Sequence, residues 1–357
     1  MTPEPSGKIV TFYSFKGGTG RTMALANVAW ILAANGKRVL AVDWDLESPG
    51  LHRYFSPFLS REDIQHSRGI IGMIQNFQNA VARHNSRESR PEVAPHAQLA
   101  KQVIPLAWDA FGDGGCLDLL SAGKITKDYA TVLAGLNWDD FYEKHDGGAF
   151  LDALRAEMKQ RYDYVLIDSR TGYSDIADVC TIHLPDVLVD CFTLNEQGIE
   201  GAATVARQVE EHQRNIRILP VPMRLDQGER SKIEAGRGFA KQRFEGLPEA
   251  ADQERRDRYW ERVFVPYQAY YNFEERLAAF GDQAGSQNTM LAAYETLTDE
   301  LTEGAVTTLP RMDTDLRLQI NDQFERRLTV AESSVALRYA NGDRVWAEWI
   351  TQVLEQA

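Results

Sequence analysis

Short apolar runs alternate along the chain with longer segments that have the periodicity of helices. The runs that we predict as strands are residues 9–13, 39–42, 164–167, 187–192, 216–219 and 263–265. The first two enclose a helical segment, residues 23–35, and Gly36 follows it where a helix C-cap is expected. Because the runs are nearly all apolar rather than alternating, they predict strands that are covered on both faces. The fold class is therefore α/β, with a mostly parallel sheet flanked by helices on both faces.

The spacing of the runs indicates how the chain is organised. About 120 residues separate the second run from the third, more than a crossover connection needs. We therefore expect residues 56–160 to carry a helical insertion beside the main sheet. The other expected units are a flexible tail (1–7), the main domain (8–312), a linker (313–333) and a short strand-helix segment (334–357).

A glycine-rich loop follows the first predicted strand directly and leads into the helix. This phosphate loop consists of Lys16, Gly17, Gly18, Thr19, Gly20, Arg21 and Thr22. Glycines let backbone N–H groups turn toward phosphate oxygens, and the helix adds its positive N-terminal end. The Thr22 hydroxyl is placed to reach a magnesium ion. The common form of the motif has lysine where this chain has Arg21, and glycine where it has Phe15.

Carboxylates follow two of the predicted strands. Asp168 ends the third run, so it projects from the C-terminal edge of a parallel sheet, where open α/β sheets bind ligands. We expect this carboxylate to hold magnesium through water. Asp43 and Asp45 end the second run at the same edge.

The phosphate loop resembles the deviant Walker A motif of the ParA/MinD family of P-loop ATPases. The hallmark of that motif is an additional lysine before the glycine pair, which Lys16 matches. Residues 42–50 resemble the family's aspartate-rich segment, residues 162–168 its Walker B strand, and residues 185–195 its next strand and turn. The resemblance implies ATP and Mg2+ as ligands and a homodimer that closes over two nucleotides.

The resemblance also implies roles for individual residues. Asp45 resembles the family's residue that orients the attacking water, and Lys16 the lysine that crosses to the partner's phosphates. Asp43, Thr22 and Asp168 are expected around the metal. Hydrolysis and dimerisation are then coupled, because a cation supplied from outside the loop neutralises charge on the transferring phosphoryl group.

Two turns are expected to bind the base. Residues 220–224 and the pair Pro266 and Tyr267 approximately match the family's base-binding turns, but the first lacks the family's asparagine, so adenine is implied by resemblance alone. The aromatic residues within 267–273 could stack on a base or belong to the core. The residues expected to bind nucleotide are Gly17, Gly18, Thr19, Gly20, Arg21, Thr22, Met23, Pro266 and Tyr267.

The expected rate of ATP hydrolysis depends on Arg21. A guanidinium can grip phosphate with two hydrogen bonds, but it is bulkier than an ammonium and does not place a point charge at the same depth. We therefore expect Arg21, Lys16 and Asp45 to support slow ATP hydrolysis. Arg170, just beyond Asp168, is either a second cation near the γ-phosphate or a surface arginine.

The amino-acid sequence of the phosphate loop resembles that of an arginine-variant subgroup of this family. In that subgroup the NTPase is fused to TIR and tetratricopeptide domains in bacterial regulatory proteins. Residues 334–350 resemble the opening strand and first helix of a TIR domain. The alternative is an amphipathic C-terminal helix that packs on the domain or contacts a partner.

Charge and composition limit the partners. The 39 basic and 52 acidic residues give a net charge of -13, which disfavours nucleic acid and anionic membranes as partners. The longest apolar helix candidate is too short to span a bilayer, and we find no secretory signal. Three cysteines without metal-ligand spacing favour a cytoplasmic location.

These observations predict a P-loop NTPase that binds ATP and magnesium, switches between monomer and dimer and regulates an effector. A setting in bacterial signalling or defence is implied by the resemblance alone. One alternative is a nucleotide-binding scaffold without turnover. Another is a partitioning-type ATPase that binds DNA non-specifically through a local basic patch within residues 229–262. A tyrosine kinase is disfavoured because the sequence shows no tyrosine-rich tail.

Overall fold

The structure is a computed structural model that describes residues 7–83, 92–125, 127, 129–172, 179–213, 215–226, 228–325 and 346. Its strands are β1 (Lys8–Tyr13), β2 (Arg38–Asp43), β3 (Ile104–Pro105), β4 (Cys116–Leu120), β5 (Tyr164–Asp168), β6 (Val187–Phe192) and β7 (Arg217–Pro222). Its α-helices are α1 (Arg21–Ala34), α2 (Leu51–Tyr54), α3 (Arg61–His66), α4 (Gly69–Arg83), α5 (Tyr129–Ala134), α6 (Trp138–Glu143), α7 (Gly147–Arg161), α8 (Glu196–His212), α9 (Arg230–Arg243), α10 (Gln253–Arg262), α11 (Ala278–Gly281), α12 (Met290–Thr302) and α13 (Thr314–Glu325).

The strands form one sheet in the order β3-β4-β2-β5-β1-β6-β7. All neighbouring strands are parallel except β3, which runs antiparallel to β4. In the centre, Phe12 of β1 lies beside Asp168 of β5 and Val189 of β6. The predicted α/β class with a mostly parallel sheet is confirmed. The carboxyl ends of the central strands therefore meet at one edge, beside the phosphate loop.

The insertion contributes to the sheet as well as to the helical layer. The segment between β2 and β5 contains helices α3 to α7, and its strand β4 pairs with β2 from Arg38↔Cys116 to Val42↔Leu120. The sequence of β4 hides this strand, because Asp118 interrupts its apolar residues. In the structure, the Asp118 carboxylate accepts a 2.6 Å hydrogen bond from the Tyr162 hydroxyl.

The strand predicted at residues 263–265 is wrong. Val265 N–H donates to the Pro222 carbonyl and Leu225 forms an isolated bridge with Pro266, but the pairing goes no further. The bridge is made by Leu225 N–H to the Val265 carbonyl and Tyr267 N–H to the Leu225 carbonyl. The segment still runs beside the end of β7, where it lines the site described below.

Helix α1 is almost wholly buried between the sheet and α12. Its residues are mostly apolar on all faces, which is typical of a helix enclosed on every side. Its buried polar residues include Arg21, described below, and Asn27. The Nδ2 of Asn27 donates to the Met23 carbonyl at 2.9 Å and its Oδ1 accepts from Ala278 N–H at 2.7 Å, so the helix that follows the phosphate loop is bonded to α11.

Helix α13 occupies part of the segment predicted as a linker. Its Ile320 and Phe324 are buried, and the Phe324 ring lies 6.1 Å from that of Phe280 in α11. The predicted tail (1–7) and the predicted C-terminal unit (334–357) lie outside the described residues, apart from Gly7 and the exposed Trp346. No helix among the described residues has the length and apolar character needed to cross a bilayer.

Candidate functional site

The phosphate loop joins β1 to α1 in a conformation that depends on its glycines. Gly18 and Gly20 have φ angles of 74° and 94°, the left-handed region that favours glycine. A Cβ on Gly17 or Gly18 would meet nothing within 4 Å, so space is open above the loop. Among the described residues no side chain caps the start of α1, which leaves the N–H groups of its first turn available to an anion.

Arg21 points to two carboxylates at the carboxyl edge of the sheet. Its Nε donates to Asp168 Oδ1 at 2.5 Å and its Nη2 to Asp45 Oδ2 at 2.9 Å. The side chains of Arg21 and Asp168 are 6% and 1% exposed. Removing one partner from a buried ion pair typically costs about 3–5 kcal/mol, because the other charge stays buried and unpaired. The structure therefore holds Arg21 as the counter-ion of these carboxylates.

Thr22 completes this cluster. Its hydroxyl donates to Asp168 Oδ2 at 2.7 Å, so both oxygens of that carboxylate are hydrogen-bonded. Burial raises the pKa of Asp168, and the Arg21 guanidinium and the Thr22 hydroxyl oppose that rise. For Arg21, burial lowers the pKa while Asp168 and Asp45 raise it, and the net result is a rise.

Asp43 lies beside Asp168 in the sheet, paired with it across β2 and β5, but its carboxylate makes different contacts. Its Oδ2 accepts from Leu51 N–H at 3.1 Å, and burial raises the pKa of its carboxyl group well above 3.8. Asp43 lines a separate cavity of about 130 Å3, together with His52 and Ser121. Asp45 lies beyond the end of β2, which explains why the two aspartates have different surroundings. The predicted place of Asp43 in a metal shell stays a prediction.

Lys16 lies at the start of the phosphate loop, and its Nζ donates to Gln197 Oε1 in the first turn of α8. It does not line the cavity beside the loop. The predicted role of Lys16 across a subunit interface stays a prediction.

A cavity of about 520 Å3 opens beside the phosphate loop. We call it the loop cavity. Its phosphate-loop end contains Gly17, Gly18, Thr19, Gly20, Arg21, Thr22 and Met23. Its other end contains Pro266 and Tyr267, the pair predicted to bind a base. The structure therefore brings all nine residues predicted to bind nucleotide to one cavity.

Arg224 connects the two ends of the loop cavity. Its Nη1 donates to the Gly18 carbonyl at 2.9 Å, and its guanidinium lies 5.2 Å from the centre of the Tyr267 ring. Its φ angle of 58° is uncommon for a residue with a Cβ, and such strain is concentrated at functional sites. Of the aromatic residues within 267–273, Tyr267 and Tyr271 line the cavity, whereas Phe273 is exposed.

Sequence reasoning missed several lining residues, among them Tyr54, Met290 and Tyr294. The last two lie one helical turn apart at the start of α12. That spacing is the signal that could have found them, but it is also what a helix packed on the core shows.

Comparison with known proteins places this geometry in a family. A family model described as the CobQ/CobB/MinD/ParA nucleotide binding domain matches residues 10–236. The septum site-determining protein MinD of Helicobacter pylori is 25% identical over 182 residues, 51% of each chain. The uncharacterized ATP-binding protein MJ0924 of Methanocaldococcus jannaschii is 48% identical over 44 residues, 12% of this chain and 17% of that protein. The chain thus matches about half or less of these two relatives' lengths.

Two solved structures show the same fold. The cell division ATPase MinD of Pyrococcus furiosus has a TM-score of 0.52 at 18% identity, covering 84% of this chain and 100% of that one. A variant of Cyanothece McdA in complex with ATP has a TM-score of 0.52 at 13% identity, covering 86% and 99%. The arginine-variant, TIR-associated subgroup stays a prediction. Because the family model spans well over half of the sequence, this chain belongs to the CobQ/CobB/MinD/ParA family of nucleotide-binding domains.

Proposed function

We propose that this chain binds ATP with magnesium, hydrolyses it slowly and uses it to switch between monomer and dimer, regulating an effector in bacterial signalling or defence. The observation that carries the proposal is the loop cavity, which has a phosphate-binding loop and helix N-terminus at one end and Pro266 and Tyr267 at the other. Its volume of about 520 Å3 lies in the range of small-molecule sites. Of the relatives named above, McdA was solved as an ATP complex and MJ0924 is described as an ATP-binding protein.

Each group of the site has a task in this proposal. The backbone N–H groups of residues 17–22 bind the phosphates. Asp45, 15% exposed and beside the cavity, orients the attacking water. Lys16 contacts the phosphates of the second subunit, as the family resemblance implies. Tyr267 offers a ring for stacking on the base.

Magnesium fits the residues present. The Thr22 hydroxyl donates a hydrogen bond to Asp168, which leaves the lone pairs of the hydroxyl oxygen for a cation. Asp168 is buried behind Thr22, with both of its oxygens hydrogen-bonded, and fixes the direction of that hydroxyl. When bound, the ion neutralises charge on the β- and γ-phosphates. Thr22 would hold the ion directly, and Asp168 would support it by orienting the Thr22 hydroxyl.

The DNA-binding alternative receives little support from the helices of residues 229–262. Several of their basic side chains are paired with acids: Lys241 with Asp257, Arg243 with Glu200, and Arg258 with Glu254. Such a surface presents mixed charge rather than a basic stripe.

All three cysteines are free, which suits the proposed cytoplasmic location.

Calorimetric titration with Mg-ATP and measurement of phosphate release test the proposal. We expect heat of binding and slow release from the wild type. Asp45→Asn should bind ATP but release phosphate about 100-fold more slowly, whereas Asp315→Asn, at an exposed aspartate of α13, should match the wild type. No binding heat would reject the proposal, and equal release from wild type and Asp45→Asn would leave only the scaffold alternative.

A further inference from the structure

Three arginines line the loop cavity, and their contacts assign them different tasks. They are Arg21, Arg170 and Arg224. Arg224 holds the Gly18 carbonyl and lies over Tyr267, so it supports the loop from the end where the base is expected. Arg21 and Arg170 are therefore the two arginines of the cavity that could add a positive charge near a transferring phosphoryl group, beside the loop N–H groups and the proposed magnesium and Lys16 contacts.

Arg21 is held in place by its buried partners. Withdrawing its guanidinium would leave the Asp168 carboxylate, 1% exposed, without its cation. Because an unpaired charge is strongly unfavourable at such a position, Arg21 stays with Asp45 and Asp168.

Arg170 is placed differently. It follows the carboxyl end of β5 by two residues, and its Nη2 makes a 2.8 Å ion pair with Glu47 Oε2. The two side chains are 30% and 47% exposed, and both residues line the loop cavity. An ion pair that is open to solvent contributes little, so exchanging Glu47 for a phosphate oxygen costs little.

We propose that Arg170 is a further catalytic residue, whose guanidinium leaves Glu47 and donates to the γ-phosphate. This inference rests on the proposed function. In the reaction, the oxygen of water forms a bond to the γ-phosphorus while the bond to the β,γ-bridging oxygen breaks, and that oxygen keeps the electron pair. The products are ADP, phosphate and a proton. Arg170 stabilises the charge of the transferred group, as cations supplied to phosphoryl transfer do.

Single-turnover hydrolysis and ATP affinity, measured on the whole chain, test this inference. Arg170→Ala should slow hydrolysis about 100-fold or more, with a much smaller change in ATP affinity. Arg170→Lys should recover part of the rate, because it restores the charge without the fork. Glu47→Gln should hydrolyse faster than wild type at low ATP, because the competing carboxylate is gone. The matched control is Arg53→Ala, which breaks an exposed pair with Glu275 away from the cavity and should behave as wild type.

The outcomes separate the possible failures. If the wild type turns over ATP and Arg170→Ala does so equally fast, the inference is wrong and the proposed function stands. If Glu47→Gln loses as much rate as Arg170→Ala, the pair is structural and the inference is wrong. A wild type that binds no ATP or releases no phosphate overturns both. Thermal melting of each variant shows whether a lost rate reflects unfolding.

Discussion

Asp190 of β6 carries a titratable carboxyl group at a completely buried position. Neither carboxylate oxygen has a hydrogen-bond partner in the part of the chain that the structure describes. Burial raises the pKa of this carboxyl group well above 3.8. A carboxyl group with a raised folded-state pKa contributes stability that is fully present below pH 3.8 and is lost as the pH rises through the folded-state pKa.

Replacing Asp190 with valine should remove this pH dependence. Asp190→Val should raise the free energy of unfolding by about 1–3 kcal/mol at pH 8, because no buried carboxylate then remains without a partner. The gain should shrink at pH 5, where the native carboxyl is protonated more fully. Urea denaturation at both pH values measures it. A difference that is the same at pH 5 and pH 8 would contradict this account.

Residue types at the site were predictable, but their pairing was not. The sequence pattern predicted that Thr22, Asp45 and Asp168 lie near the phosphate loop, because strand ends meet at one edge of a parallel sheet. It also predicted Arg21 as a phosphate ligand. The structure pairs Nε and Nη2 of Arg21 with the two carboxylates, a choice of side-chain direction that depends on burial and on charges far apart in sequence. Its Nη1 has no hydrogen-bond partner among the described residues, and the role of Arg21 as a phosphate ligand stays a prediction.

At the scale of the element, the close approach of α8 to the phosphate loop explains Phe15, which replaces the motif's first glycine. A Cβ on Gly201 of α8 would overlap the Phe15 ring. Phe15, which stands where the motif has glycine, thus packs the start of the loop against α8. Nothing local in the sequence reveals that Gly201 is the partner, just as nothing in the residues around Asp118 revealed β4.

Gly201→Ala should therefore displace Phe15 and the loop that follows it. We expect a loss of about 1–3 kcal/mol in unfolding free energy from overpacking, together with weaker ATP binding. Gly238→Ala in α9 is the matched control, since a Cβ there meets nothing within 4 Å. The control should be neutral or stabilise the protein by up to about 1 kcal/mol. Equal effects of the two substitutions on melting and ATP titration would show that the Phe15 contact is unimportant.

At the scale of the whole molecule, the proposed switch depends on a second copy of the chain. Lys16 donates to Gln197 and does not line its own subunit's loop cavity. A lysine placed in this way can contact a partner's phosphates without serving its own. The parallel sheet and its site-bearing edge were predictable from the apolar runs, whereas assembly is a property of surfaces that such runs do not encode.

Lys16→Ala should separate binding from assembly. Light scattering with a slowly hydrolysed ATP analogue should give twice the monomer mass for the wild type and the monomer mass for Lys16→Ala, while the variant's ATP affinity as a monomer is retained. Lys232→Ala, at a lysine that is 78% exposed on α9, should dimerise normally. A normal dimer of Lys16→Ala would exclude the proposed contact across subunits.

The outer strand β3 bears on how copies of the chain can associate. It has only two residues, Ile104 and Pro105, and it runs against the direction of the strands beside it. Pro105 has no N–H to donate to an incoming strand, and an edge strand of two residues offers few backbone groups for pairing with another chain. Growth into fibrils by edge-to-edge addition is therefore disfavoured on this flank of the sheet.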